Sequence, residues 1–138
     1  MALKKGTIHH IELYVSNLKN TTYFWGWFLE ELGYSPFQSW DGGQSWKIED
    51  TYLVFVQAEE KFLAAPYHRR QVGLNHLAFW ADSRQEVDQM TDKLRKKGVP
   101  ILYTDQHPFA GGKEHYAVFF EDPDRIKVEF VAPEQVIK

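Results

Sequence analysis

The 138 residues predict an α+β fold made of two copies of one βαβββ module, and three observations carry that prediction. Two strand-like segments each hold a histidine, and an offset of 66 residues relates His10 to His76 and Val15 to Ala81. An offset of 65 relates Gly33 to Gly98, the glycines that end the two helical patterns. After each of them come three further strand-like segments. Agreement of independent marks at one period signals duplication, which decides the fold class ahead of any local propensity. The modules span about residues 7–58 and 73–132 with a linker at 59–72, and together they make a single domain over 1–138.

The first strand runs from Ile8 to Val15, with Ile11, Leu13 and Val15 on one face and His10, Glu12 and Tyr14 on the other. By the same alternation His9 points away from His10 and is structural or exposed. Ser16 or Asn17 caps a helix whose body is Thr21 to Leu32, and Phe24, Phe28 and Leu32 mark its apolar face. Strand candidates follow at 34–40, 44–49 and 51–57, the first two separated by the turn signal Asp41-Gly42-Gly43. Pro66 and the basic triplet His68-Arg69-Arg70 interrupt the pattern and mark the linker. The second copy begins with a strand over Gly73 to Asp82. A helix follows from about Gln85 to Lys97, with Val87, Met90 and Leu94 as its buried stripe. Its three strands are expected at 100–105, 114–120 and 126–131, with a longer loop, holding His107, from Gln106 to Lys113.

Composition narrows the function classes. Apolar residues at 43% and aromatics at 16% supply a real core, so the chain is not a disordered one. With no cysteine, disulfides, thiolate metal ligands and cysteine catalysis are excluded. A net charge of -3 with scattered basic residues argues against nucleic acid as a partner. No long apolar run and no leader-like start at Met1 is evident, so neither a membrane partner nor export is expected, and a cytoplasmic location is.

Glu129 is the anomaly. It shares a strand face with Lys127 and Val131 among apolar neighbours, and a carboxylate enclosed there needs a cation or hydrogen-bond donors. Aligning the last strands of the two copies sets Val54 opposite Glu129, so His10, His76, Glu129 and Val54 occupy equivalent places. Three of these are metal-ligand types. Two imidazoles and a carboxylate suit a divalent ion such as Fe, Mn, Ni, Co or Zn and leave coordination positions open for a small-molecule substrate.

These marks resemble the vicinal oxygen chelate superfamily, which includes glyoxalase I, extradiol dioxygenases, fosfomycin-inactivating transferases, methylmalonyl-CoA epimerase and bleomycin-binding resistance proteins. The resemblance runs from Ile8 to Pro133. It rests on Ile8-His9-His10-Ile11, Val15-Ser16-Asn17-Leu18, Gly73-Leu74-Asn75-His76-Leu77-Ala78-Phe79 and Phe120-Glu121-Asp122-Pro123-Asp124 leading to Val128-Glu129-Phe130. It implies two modules curling a mixed sheet into a cup around a cavity, with the metal on the floor, built within one chain or across a homodimer. Arg125 stands where the family turn often has glycine, at a cost if its φ is positive.

Val54 is the larger departure. It replaces the further ligand that glyoxalase I and the epimerase use, so a glyoxalase I-type lyase becomes an alternative and not the first expectation. The set is similar instead to extradiol dioxygenases and fosfomycin transferases. For such an activity His115, Tyr116 and Tyr103 are the candidate catalytic residues, and Tyr14, Tyr52, Phe79 and Trp80 could line the cavity. Lys113, Arg125 and Lys127 are the cations available to a phosphonate, and Lys127 could equally pair with Glu129. A ligand-sequestering protein of the bleomycin-binding type is the non-catalytic alternative.

Overall fold

The computed structural model describes residues 5–134 and divides at Pro66/Tyr67 into two compact units. The first holds β1 (His10–Val15), α1 (Leu18–Glu31), β2 (Ser35–Trp40), β3 (Gly43–Ile48) and β4 (Thr51–Gln57). Its strands lie in the order β1-β4-β3-β2, with β1 parallel to β4 and the other pairs antiparallel. Asn17 proves to be the cap. Its side chain accepts the Asn20 N–H at 3.0 Å, and Gln57 Oε1 takes the Leu18 N–H at 2.8 Å, so two of the helix's orphan donors are satisfied. Gly33, at φ +100, stops the helix. The buried stripe of α1 is Phe24, Trp25, Phe28 and Leu29, and the sheet face of Trp46, Leu53 and Phe55 is buried with it. Trp25 and Phe55 pack with their rings tilted by 30° and centroids 5.0 Å apart.

The second unit holds β5 (His76–Trp80), α2 (Arg84–Lys96), β6 (Ala117–Glu121) and β7 (Lys127–Val131) in a sheet ordered β5-β7-β6. Ser83 caps α2 by accepting the Glu86 N–H at 3.1 Å, which starts the helix a residue earlier than periodicity suggested. Val87, Met90 and Leu94 are buried as expected. The strand expected at 100–105 is reduced to one bridge, Ile101 to Phe120. Leu102 N–H still reaches Phe119 O at 2.8 Å, but Tyr103 then adopts a left-handed backbone, φ +55. The Tyr103 carbonyl instead accepts the Gln106 and His107 N–H groups, both at 2.9 Å, and the chain turns away from the sheet. The module plan is therefore βαβββ-like in both units, with a shortened member in the second.

Arg125 does sit at positive φ, +66. The turn holds it through Asp122 Oδ1, which accepts the Asp124 and Ile126 N–H groups, both at 2.8 Å. Of the linker cations, Arg69 is structural: its guanidinium bonds Glu121 and, at 3.1 Å, the Arg125 carbonyl. His68 accepts the Arg70 N–H at 3.0 Å. His107 has its pKa lowered, first by burial and then by the Arg95 charge, against a smaller opposing pull from Asp88. Its folded-state value lies below the unfolded one, so its contribution to stability is present above about pH 6.5 and is lost as pH falls through the depressed value. An NMR titration of the imidazole protons should give His107 a midpoint below the ordinary histidine range, and His107→Asn should flatten the loss of stability on acidification.

Candidate functional site

Strand alternation in the second unit puts His76, Lys127, Glu129 and Phe119 on the sheet face opposite α2, and His115 precedes β6 in the same parity. Glu129 is 4% exposed. Its Oε1 lies 3.1 Å from His76 Nε2, and its Oε2 bonds His115 Nε2. His76 Nδ1 lies 2.7 Å from Asn75 Oδ1. Gly111 makes room for His115: a Cβ there would come within 2.3 Å of the ring.

The Asn75 contact orients the His76 ring and directs Nε2 at Glu129. With Nδ1–H donated to Asn75, Nε2 faces the carboxylate either as an N–H donor, when the ring is protonated, or, in the neutral tautomer, as a lone pair that a cation would bridge to Oε1. The same oxygen-to-Nδ1 bond is what orients a metal-ligating imidazole. Two ligands each about 2.1 Å from one ion and at right angles lie about 3 Å apart, the separation found here. The same 3.1 Å separation is that of an ordinary N–H···O hydrogen bond, so the pair is compatible with either a bridging cation or a direct bond. Among the described residues no group of three or more His, Cys, Asp or Glu side chains is arranged to hold a metal ion.

In the first unit His10 occupies the register position of His76. Two residues along, Glu12 pairs with Val54 just as Ala78 pairs with Glu129, so the alignment of Val54 with Glu129 holds to the residue. His10 stacks on Tyr52 with centroids 4.8 Å apart. His9 does not point away from it: the two Nδ1 atoms lie 2.9 Å apart, because β1 begins only at His10 and strand alternation does not reach His9.

Of the candidate catalytic residues, His115 meets Glu129, and Tyr103 packs edge-on against Phe119 with centroids 5.5 Å apart. Tyr116 lies elsewhere. Its hydroxyl donates to Asp88 Oδ1 on α2 at 2.6 Å, and that bond, with burial, pushes its pKa above the usual phenol value. The signal was in the sequence, since Tyr116 has the opposite strand parity from His115 and Phe119. Lys127 does not pair with Glu129 and instead donates to Tyr103 Oη at 3.0 Å. Asn75, part of a quoted motif but given no role by the sequence, is the residue whose importance emerges only from geometry.

Two hollows flank Glu129 and His115 within this unit. One, of about 620 Å³, is lined by Trp80, Glu114, Val131 and Glu134 among others. The other, of about 370 Å³, is lined by His76, Tyr103, Gln106, Phe119 and Lys127. Trp80 is largely exposed and lines the larger hollow together with Phe79, whereas Tyr14, also exposed, lines neither. No helix among the described residues is long and apolar enough to cross a membrane.

The repeated strand-helix-strand plan with a histidine and carboxylate on one sheet face defines a class, and comparison with known proteins agrees. The chain belongs to the Glyoxalase/Bleomycin resistance protein/Dioxygenase superfamily, whose model matches residues 7–130. It is 65% identical over 126 residues to YqjT, an uncharacterised protein of Bacillus subtilis, covering 91% of this chain and 98% of that one. A crystal structure from Bacillus halodurans, described only provisionally as a glyoxalase, is 57% identical with a TM-score of 0.92, covering 94% of this chain and 97% of the other. A glyoxalase/dioxygenase from Nostoc punctiforme shares the fold at 20% identity and a TM-score of 0.72, with 98% of each chain covered.

Proposed function

We propose that the chain is a divalent-metal-dependent enzyme that binds a small substrate through vicinal oxygens, with His76 and Glu129 as metal ligands. His10, at the equivalent register position of the first unit, is the third candidate ligand. The observation that carries this reading is the His76 Nε2 to Glu129 Oε1 approach at 3.1 Å with Nδ1 already committed to Asn75. A bound ion would supply Lewis acidity or oxygen activation. His115 holds the second carboxylate oxygen and is the group placed to take or give a proton beside the site, with Tyr103 at its margin. Extradiol-dioxygenase-like or fosfomycin-transferase-like chemistry suits this ligand set better than a glyoxalase I-type lyase, because Val54 can neither bind metal nor move a proton.

A second reading, a sequestering protein of the bleomycin-binding type, is favoured by the engagement of both Glu129 oxygens by His76 and His115, which can satisfy the carboxylate as a hydrogen-bonded cluster without an ion. Metal analysis separates the two. Protein purified without chelator is expected to take up one equivalent of Fe(II), Mn(II) or Zn(II), and His76→Ala and His10→Ala should each weaken uptake by about tenfold or more. Equal uptake by both variants and the wild type would remove the enzyme reading. Oxygen consumption with a catechol panel then tests the dioxygenase branch, and metal-dependent thiol consumption with fosfomycin tests the transferase branch.

A further inference from the structure

We propose that Lys127 and Tyr103 form a subsite for an anionic oxygen, carboxylate or ionised phenol, in the hollow beside Glu129. Lys127 is half-buried as a residue while its ammonium stays accessible beside Tyr103, and two carboxylates are near it in the sheet. Glu121 is its direct cross-strand neighbour, but Arg69 and Arg125 both hold that carboxylate. Glu129 is two residues along on the same face, but His76 and His115 occupy its two oxygens. Lys127 is left with no ion pair among the described residues. Its Nζ lies 5.0 Å from the Tyr103 ring centroid and 5.2 Å from that of Phe119, and it donates to Tyr103 Oη at 3.0 Å.

This arrangement holds the cation without neutralising it. Aromatic faces steady an ammonium group but carry no net charge, so the ability to bind an anion is kept. Because the Tyr103 oxygen accepts from Lys127, its own O–H is available to a further acceptor, and an anion in the hollow of about 370 Å³ would meet two converging donors. Tyr103 is presented there by a left-handed backbone, φ +55, that a bulky residue seldom adopts. That strained turn takes the chain out of the sheet, and it sets the ring against Phe119 and the hydroxyl against Lys127.

The subsite needs no metal, so its test stands apart from the reading above. Metal-stripped full-length protein is titrated with benzoate, and with benzamide as the neutral control, while backbone amide shifts are followed by NMR. Benzoate should bind about tenfold or more tightly than benzamide, and shifts should centre on Tyr103, Gln106 and Phe119. Lys127→Met, which keeps the apolar stem, should abolish the preference, and Lys127→Arg should restore it. Wild-type protein that binds the two probes alike or binds neither, shifts centred outside this hollow, or a benzoate preference surviving in Lys127→Met would each overturn the proposal. Amide spectra of each variant establish folding, and the wild-type shift map decides the matter even where Lys127→Met does not fold.

Discussion

Trp25→Ala is expected to cost the first unit about 3–5 kcal/mol, a large share of the stability of a domain of this size. Trp25 is 0% exposed, and three rings pack against its indole: Phe55 at 5.0 Å, Phe24 at 5.6 Å and Phe28 at 6.0 Å between centroids. Truncation to a methyl removes the shared partner of all three, and the aromatic neighbours, themselves fixed by the sheet and by α1, cannot collapse into the space. Tyr23, two residues earlier on the same helix, is 76% exposed, and Tyr23→Ala should stay within about 0.5 kcal/mol of the wild type. Urea unfolding followed by near-ultraviolet circular dichroism measures both. Equal midpoints for the two variants would contradict the assigned core.

The difference between those neighbours was readable in the sequence only in part. The Phe24 and Phe28 spacing locates the buried stripe of α1, but Trp25 lies at the stripe's edge and is fully buried because Phe55 rises from the sheet to meet it. That is a tertiary fact with no local signature. The repeat was far more legible: aligning the last strands of the two copies set Val54 against Glu129, and the register that pairs Glu12 with Val54 and Ala78 with Glu129 agrees. A duplicated module keeps its ladder register because slipping by one residue would turn every side chain to the wrong face. Conversely, the strand expected at 100–105 failed at one residue, Tyr103, whose left-handed backbone no propensity announces. The candidate site divides in the same way. Residue types and parity marked His76, Glu129 and His115, whereas the engagement of Asn75 with His76 and the isolation of Lys127 depend on which partners other side chains take.

Glu129→Leu should produce opposite outcomes in two assays, and that opposition distinguishes a site built for binding from a polar knot built for stability. Metal uptake is expected to fall by about 100-fold, since the carboxylate is the sole anionic ligand proposed. Stability of the metal-free protein should be unchanged or slightly higher. A carboxylate that is 4% exposed gives up most of its hydration, and replacing a buried ionic group with an apolar one of similar volume is often neutral or favourable by about 1–4 kcal/mol. The imidazoles left behind are not orphaned, because the His76 and His115 side chains are 33% and 41% exposed and can bond water. If the contacts to Glu129 served folding alone, the same substitution would lower the urea midpoint by the equivalent of about 2 kcal/mol or more and leave metal uptake where it was. Measuring both quantities on one preparation, with Val54→Glu alongside, therefore tests the role of the carboxylate and whether a second one at the equivalent register position tightens binding.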